Sequence, residues 1–161
     1  MTRLDLAVRA LVEHSVEFVV IGAVAAVAHG STYATQDLDL CYDRSPQNLE
    51  RLVAALEPLH PSLRDAPATA AWRFDVRTLK NGMNFTLSTD VGDIDLLGEV
   101  AGVGQFSAVS SDSIELHVFG SKCRIASLRT LIASKRAAGR PKDLLALPEL
   151  EALLELASKK E

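Results

Sequence analysis

The stretch FVVIGAVAAVAHG, residues 18–30, decides the fold of this chain. Its opening residues are aromatic and β-branched, which is typical of a strand covered on both faces. Gly22 ends that run, and the small residues after it predict a short helix that closes at Gly30. A strand, a turn and a helix therefore follow one another without a linker.

Aspartates alternate with leucines at residues 37–40, which have the sequence DLDL and are separated from Ala23 by thirteen residues. Alternate residues of a strand share a face, so Asp37 and Asp39 are predicted to project from the same side. An Asp-x-Asp pair taken alone most often marks the solvent-facing edge of a sheet. The pair indicates a functional site only if further carboxylates join it.

A second aspartate strand is predicted at residues 92–98, which have the sequence GDIDLLG. Asp95 has the strand phase of Asp37 and Asp39, and it joins them if the two strands are neighbours. Asp93 follows a glycine and is more typical of a turn. The sequence therefore predicts three carboxylates that converge at one end of a sheet.

Converging carboxylates require protonation or a cation. Two carboxylates about 4 Å apart repel by about 4 kcal/mol at an effective dielectric of about 20. Mg²⁺ relieves this repulsion, because it prefers oxygen ligands and is typically held by one or two carboxylates together with substrate phosphates. The predicted ligands are Asp37, Asp39 and Asp95.

The remaining elements predict a mixed α/β (α+β) fold, with helices flanking a mixed β-sheet in a single domain. Helices are predicted at residues 4–14, 23–30, 46–59 and 128–138 and in the leucine-rich C-terminal segment, and strands at 18–21, 37–42, 83–87, 92–98 and in a hairpin at 114–125. Residues 60–71 are predicted to be a loop. The last helix is expected to break or bend near Pro148 and to pack its leucines: Leu144, Leu145, Leu150, Leu153, Leu154 and Leu156.

Length and composition exclude several classes of protein. The chain of 161 residues predicts one domain over 1–161, with its core at about 15–126 and C-terminal helices at about 127–158. Hydrophobic residues make up 48% and charged residues 24%, which excludes a disordered chain. Aromatic residues make up only 5%, which disfavours a nucleic-acid-binding protein that stacks several aromatic side chains on bases. No uncharged run reaches the length of a membrane helix, so we predict no membrane partner. The two cysteines, Cys41 and Cys123, lie far apart in the sequence, which fits a reducing cytoplasm.

Positive charge is concentrated in one segment. Seven basic residues and no acidic residue lie between Lys122 and Lys142, while all 21 acidic residues lie elsewhere. The segment is either a solvated helix face or a surface that holds an anionic ligand near the carboxylates. Helical spacing directs Lys135 toward the edge of the buried face and Arg136 toward solvent. We therefore predict that Lys135 binds the anionic ligand, and that Arg140 and Lys142 contact it more weakly.

The chain lacks the residue patterns that several other chemistries require. The histidines are too far apart for local metal-ligand pairs, and the chain contains no Walker A sequence, complete dinucleotide fingerprint or Gly-x-Ser-x-Gly elbow. Cys41 and Cys123 form no Cys-x-x-Cys pair, so a zinc knuckle and a disulfide framework are excluded. Cys41 shares the aspartate face, where neighbouring negative charges are expected to raise its thiol pKa.

These residues resemble the signature of the nucleotidyltransferase superfamily with the DNA polymerase beta-like fold. The resemblance rests on Ile21-Gly22-Ala23, on Asp37-Leu38-Asp39-Leu40 at its spacing, and on Asp95. A narrower resemblance, to bacterial AbiEii-type and minimal nucleotidyltransferases, rests on His29-Gly30, on Thr35 and on the tail from Leu131 through Lys135 to Leu144. The resemblance covers about residues 15–147, and such proteins are often the toxins of toxin–antitoxin pairs.

The resemblance implies a role for each motif. Gly22 and the turn at Ala23 would hold the triphosphate, with Thr35 also on the nucleotide. Lys135 would bind the triphosphate, and Arg140 and Lys142 would contact phosphate or an RNA backbone more weakly. Asp37 and Asp39 would bind two Mg²⁺ ions, and Asp95 would complete the metal site and help to activate the acceptor. The implied reaction moves a nucleoside monophosphate from an NTP to a hydroxyl or phosphate acceptor, which could be tRNA, another RNA or a protein, and a cognate antitoxin is an implied partner.

Two departures from the family pattern keep a second hypothesis open. Ala23 stands where the family normally has Gly or Ser, so a hydroxyl contact to phosphate or metal is missing. Tyr33-Ala34 stands where members of the narrower group often have an arginine. The alternative is a non-catalytic relative that binds nucleotide or a partner protein without turnover. Retention of all three aspartates favours the enzyme.

Overall fold

The computed structural model describes residues 2–33, 35–67 and 71–160. Its helices are α1 (Leu4–Glu13), α2 (Gly22–Ala28), α3 (Pro46–Leu56), α4 (Val76–Asn81), α5 (Phe106–Ser111), α6 (Leu128–Ala138) and α7 (Pro141–Lys159), with a 3₁₀ turn at Glu57–Leu59. Its strands are β1 (Phe18–Ile21), β2 (Asp37–Tyr42), β3 (Ser62–Leu63), β4 (Asn84–Thr89), β5 (Gly92–Leu97), β6 (Glu99–Val100), β7 (Gly104–Gln105), β8 (Ser113–Val118) and β9 (Ser121–Ala126).

One mixed sheet organises the molecule. Seven strands pair in the order β3-β4-β5-β2-β1-β9-β8, and β6 and β7 form a separate two-stranded ribbon. β2 runs antiparallel to β1 and parallel to β5, and β1 runs parallel to β9. This arrangement confirms the predicted mixed-sheet α/β fold.

The core explains why these segments adopt these structures. Every residue of β1 is buried, as expected for a strand covered on both faces. α3 begins at Pro46 because Ser45 accepts a hydrogen bond from the backbone N–H of Asn48, and α6 begins after Ser127 in the same way. Gly139 ends α6 with a φ of 64°, a left-handed conformation that glycine adopts without strain.

Long-range pairing corrects the predicted loop at residues 60–71. Ser62 and Leu63 form β3 by pairing with Ser88 and Leu87 of β4. Two residues are too few to give a periodic signal, so only the partner strand reveals them. Residues 68–70 of the predicted loop lie outside the described residues, as do Met1 and Glu161 at the ends of the predicted domain.

The C-terminal helix differs from its prediction in two respects. α7 continues through Pro148, which is exposed, so water can satisfy the carbonyl group that loses its helical partner. Leu150 is buried as predicted, but Leu144, Leu145 and Leu156 are exposed. α7 packs mainly against α6, and one contact face cannot cover leucines spread around the whole helix. Among the described residues, no helix combines the length and apolarity needed to span a bilayer.

Candidate active site

Two parallel strands bring the aspartates together. β2 and β5 are neighbours, and their register sets Asp37 opposite Asp93 and Asp39 opposite Asp95. The intervening side chains are fully buried on the other face: Leu38, Leu40, Ile94 and Leu96. The four aspartates therefore share one face of the sheet. Asp93 is a strand residue and not the turn residue that its neighbouring glycine suggested.

The turn between β1 and α2 lies directly against Asp39. Ile21 is the strand partner of Asp39, and Gly22 follows it with a φ of +68°. A Cβ added at Gly22 would overlap the Asp39 carboxylate, since it would lie 2.9 Å from Cγ. Gly22 is thus required by its left-handed backbone and by the close approach of the carboxylate.

Asp39 is the most strongly perturbed carboxyl group at this face. Burial raises its pKa to about 7, with further contributions from the charge of Asp95, from a hydrogen bond between the two carboxyl groups and from the charge of Asp37. The positive charge of Lys135 acts in the opposite direction. Without a bound cation, Asp39 is therefore largely protonated below pH 7.

The main cation on the aspartate face is Arg64, which the sequence did not indicate. Its Nη2 donates to Asp95 Oδ1 at 2.7 Å and to the Leu87 carbonyl oxygen at 2.9 Å. Its Nε lies 3.3 Å from Asp93 Oδ2 but is buried without a hydrogen-bond partner. Arg64 lies in the segment predicted to be a loop, and only the pairing of β3 with β4 places it beside the aspartates.

The carboxylate oxygens of the aspartate face suit a hard divalent ion, although the structure does not arrange them as a complete coordination sphere. Over the described ranges, no three side chains of His, Cys, Asp or Glu are close enough to hold a metal ion. The adjacent carboxyl groups of Asp39 and Asp95 supply the oxygen ligands that Mg²⁺ prefers, and their mutual repulsion favours a cation between them. Asp37 lies one strand repeat away on the same face. Asp95 meanwhile accepts a hydrogen bond from Arg64.

A buried carboxylate organises the predicted phosphate-binding cations. Asp143 is completely buried, and its Oδ1 lies 3.3 Å from Lys135 Nζ while its Oδ2 accepts from Arg140 Nε at 2.7 Å. The hydrogen bond from Arg140, followed by that from Lys135, lowers the pKa of Asp143. Lys135 and Arg140 both act electrostatically on Asp39, so they border the aspartate face. Asp143 lies just beyond the acid-free segment and was missed as a site residue.

The other predicted ligands are placed as follows. Thr35 Oγ1 accepts a hydrogen bond from the backbone N–H of Asp37 at 3.2 Å, which holds the start of β2. Ala23 lies in the first turn of α2. Lys142 is exposed at the start of α7. Arg136 is 61% exposed, as predicted, and pairs with Glu151. Of the Tyr33-Ala34 departure, Tyr33 is exposed and Ala34 lies outside the described residues.

Two other polar side chains have structural roles. Cys41 is completely buried, and burial raises its thiol pKa to about 12. The predicted direction of that shift is correct, but its cause is desolvation and not the neighbouring aspartates. The His29 Nε2 atom lies 2.8 Å from the Ala126 carbonyl oxygen, which ties α2 to β9.

Replacing Gly22 with alanine tests the contact between the turn and Asp39. The left-handed φ costs about 1–2 kcal/mol for a residue with a Cβ, and the new methyl group must displace the Asp39 carboxylate. We expect Gly22→Ala to lower the free energy of unfolding by more than that amount in urea denaturation, because the steric cost at Asp39 adds to the cost of the positive φ. Gly120→Ala is the matched control, because Gly120 also has positive φ but has open space around its added Cβ. Equal losses in the two variants would show that Asp39 is not crowded by this turn.

The comparisons with known proteins support the fold. No protein-family model matches the chain, and no curated protein matches it either. Among solved structures, the chain is similar to the antibiotic-resistance factor ANT(2'')-Ia, with a TM-score of 0.55 and 13% sequence identity. The match covers 98% of this chain and 90% of that chain. At this identity the similarity shows a shared fold.

Proposed function

We propose that the chain is a metal-dependent nucleotidyltransferase that transfers a nucleoside monophosphate from an NTP to an acceptor and releases pyrophosphate. The observation that carries the proposal is the pairing of Asp39 with Asp95 on adjacent strands, directly against the Gly22 turn. The fold agrees with it, since the similar structure is that of an aminoglycoside nucleotidyltransferase.

The aspartates divide the work in this proposal. Asp37 and Asp39 would hold Mg²⁺ together with Asp95. Asp95 would also take the proton of the acceptor hydroxyl. The hydroxyl oxygen then bonds to the α-phosphorus of the NTP, and the bond from that phosphorus to the pyrophosphate oxygen breaks. When bound, two magnesium ions would supply charge stabilisation for the attacking and leaving oxygens.

The cationic side of the site receives the donor. Lys135 and Arg140 border Asp39 and are both held by Asp143, so a triphosphate that reaches the metal meets two oriented positive charges. Backbone N–H groups after Gly22 supply further phosphate contacts in place of the hydroxyl that Ala23 lacks. Thr35 and Lys142 remain predicted nucleotide contacts.

The acceptor and partner are proposed from the narrower resemblance. We propose a hydroxyl or phosphate of tRNA, another RNA or a protein as acceptor, and a toxin role with a cognate antitoxin, because the tail through Lys135, Arg140 and Lys142 is similar to that of AbiEii-type proteins. The fold neighbour is an antibiotic-resistance factor, so aminoglycosides belong in the same acceptor panel.

Label transfer tests the proposed activity. The protein is incubated with Mg²⁺ and each α-³²P-labelled NTP in the presence of total RNA, tRNA, a protein extract or aminoglycosides. We expect label to move to one acceptor with release of one pyrophosphate per transfer, and Asp95→Asn to abolish both. Absence of transfer to every acceptor class would refute the enzyme.

A non-catalytic nucleotide-binding or partner-binding protein is the second candidate. It is favoured by the contact of Arg64 with Asp95 and by the absence, within the described part of the chain, of a preformed three-ligand metal group. For such a protein, NTP with Mg²⁺ would raise the melting temperature while no pyrophosphate appears with any acceptor. Pyrophosphate release excludes this candidate.

Magnesium binding is expected to release a proton below pH 7. The metal binds the ionised carboxylate, so it lowers the pKa of Asp39 from its raised value of about 7. The apparent Mg²⁺ affinity should therefore rise by up to about tenfold per pH unit between about pH 5 and pH 7 and level off above that range. Calorimetry at pH 6 in buffers of different ionisation enthalpy measures the released protons. Heat that does not depend on the buffer would contradict the prediction.

Lys135 and Arg136 form a matched pair for testing the donor site. They are adjacent in α6, but Lys135 is 27% exposed and borders Asp39, whereas Arg136 is 61% exposed and pairs with Glu151. Lys135→Ala should weaken NTP binding by about 1.5–3 kcal/mol, and Arg136→Ala by less than about 0.5 kcal/mol. Calorimetric titration with a non-hydrolysable NTP makes the comparison. Equal losses that added salt abolishes would indicate a diffuse electrostatic surface.

A further inference from the structure

The backbone of Arg64 is hydrogen-bonded to β4, and its side chain extends across that strand. Its backbone N–H donates to the Thr86 carbonyl oxygen at 2.9 Å, which fixes the residue to β4. From there the side chain, 23% exposed, crosses β4 and ends beside Asp93 and Asp95 on β5. The guanidinium group is therefore delivered to the aspartates by the pairing of β3 with β4 and not by a free surface loop.

The guanidinium supplies the positive charge that the aspartates need in the absence of metal. Among the described residues, Arg64 is the only cation within 4.0 Å of any of the four aspartates, whereas Lys135 and Arg140 are paired with Asp143. Adjacent carboxylates without a cation repel strongly. Arg64 relieves that repulsion at Asp95, the carboxyl group that the proposed metal site also requires.

The hold of Arg64 on this carboxylate is incomplete. An arginine and a carboxylate pair most strongly through two parallel N–H···O bonds. Here only Nη2 donates to Asp95, the same nitrogen also donates to the Leu87 carbonyl oxygen, and Nε has no hydrogen-bond partner. A contact of this kind neutralises charge but leaves the guanidinium displaceable.

We propose that Arg64 is an internal counter-cation that competes with the metal for Asp95 and must leave this carboxylate before the metal binds. The inference rests on the proposed function, because it concerns the same carboxylates. It accounts for two observations together: the ligands lie on one face of the sheet, yet no three of them, among the described residues, come together as a metal group. Arg64 is a positioning residue in this scheme, acting through Asp95.

Metal titration without nucleotide or acceptor tests the competition. Mn²⁺ binding is measured by electron paramagnetic resonance for wild type, Arg64→Gln, Arg64→Lys and Arg73→Gln. Arg73 is an exposed arginine of the same connection between β3 and α4. Its variant has the same net charge as Arg64→Gln, because each replaces one arginine with glutamine. We expect Arg64→Gln to bind Mn²⁺ about tenfold more tightly than wild type, Arg64→Lys to be intermediate and Arg73→Gln to stay within about twofold.

A double-mutant cycle assigns the effect to Asp95. In an Asp95→Asn background, Arg64→Gln should no longer strengthen Mn²⁺ binding, because the shared carboxylate is absent. Binding by Arg64→Gln that is unchanged or weaker than wild type overturns the inference. If that variant is too unstable to study, weaker binding by Arg64→Lys overturns it in the same way. If the wild type binds Mn²⁺ and transfers label but Arg64→Gln binds Mn²⁺ no more tightly, only the competition is refuted. If no variant binds Mn²⁺, the proposed function is refuted as well.

Discussion

Asp39→Asn is expected to lower nucleotidyl transfer by at least about 10³-fold and to remove most of the magnesium-dependent nucleotide binding. Asp39 is the carboxyl group that contacts both the Gly22 turn and Asp95, so its loss removes the centre of the proposed metal site. Asparagine keeps the size of the side chain and one oxygen acceptor but cannot balance the charge of a divalent ion. Calorimetric titration of NTP with and without Mg²⁺ measures the binding, and label transfer measures the rate.

The same substitution should stabilise the metal-free protein, which separates loss of function from loss of fold. The pKa of Asp39 is raised in the folded state, so the folded protein binds more protons than the unfolded chain and its stability falls as the pH rises from about 4 to about 7. Asparagine is neutral and avoids this penalty. At pH 8 in EDTA, we expect Asp39→Asn to unfold at a higher urea midpoint, with a free energy of unfolding larger by on the order of 1–3 kcal/mol.

The control is Asp43→Asn, the same chemical change just beyond the end of β2. It should leave transfer within about threefold and stability within about 0.5 kcal/mol. Equal nucleotide binding by Asp39→Asn and wild type would disprove the assignment of Asp39 as a metal ligand. A lower midpoint for Asp39→Asn at pH 8 would show that its carboxylate is stabilised by a partner in the folded protein.

Asp143→Ala is expected to cost about 3 kcal/mol of stability and to weaken NTP binding as well. Asp143 is completely buried, and it pairs with both Lys135 and Arg140 and accepts the backbone N–H of Arg140 at the start of α7. Removing it leaves the two cations without their anchor and the helix without this terminal contact. Urea denaturation measures the loss of stability, and calorimetric titration measures the loss of NTP affinity.

The pH dependence of this loss has a definite sign. Hydrogen bonds from Arg140 and Lys135 lower the pKa of Asp143, so its stabilising contribution is present above the unfolded pKa near 4 and is lost as the pH falls through the lower, folded pKa. The difference between wild type and Asp143→Ala should therefore be constant from pH 5 upward, within about 0.5 kcal/mol, and shrink below about pH 4.

Glu151→Ala provides the control for an ion pair of the same helices. The Arg136–Glu151 pair is exposed, at 61% and 47%, so its removal should change stability by less than about 0.5 kcal/mol. In a double-mutant cycle, Lys135→Ala and Asp143→Ala should couple by about 1–2 kcal/mol. Additive effects would show that Asp143 does not hold Lys135 in place.

Much of the fold could be predicted because its signals are local. β1, the glycine turn and α2 follow from a β-branched run, a glycine and a run of small residues, and β2 and β5 follow from alternation of apolar residues with aspartates. Ser45 and Ser127, which cap α3 and α6, are local signals of the same kind, because serine favours the start of a helix. Each of these features depends on the conformational preference of a few neighbouring residues.

The common phase of Asp37, Asp39 and Asp95 was also determined by the sequence alone, because a strand has a period of two. That β2 and β5 lie side by side, with Asp39 opposite Asp95, was decided only by the tertiary structure. Strand pairing joins residues far apart along the chain, and no periodicity in either segment specifies its partner.

The roles of Arg64 and Asp143 could not be predicted from the sequence. Arg64 follows a strand of two residues that exists only because β4 pairs with it, so its charge carries no local sign of a role. Asp143 is one acid at the edge of a basic segment, and only the packing of α7 against α6 buries it between Lys135 and Arg140. The sequence determined which chemical groups each element presents, through local propensity and periodicity. The tertiary structure decided which of those groups meet, because burial and charge pairing depend on contacts between distant segments.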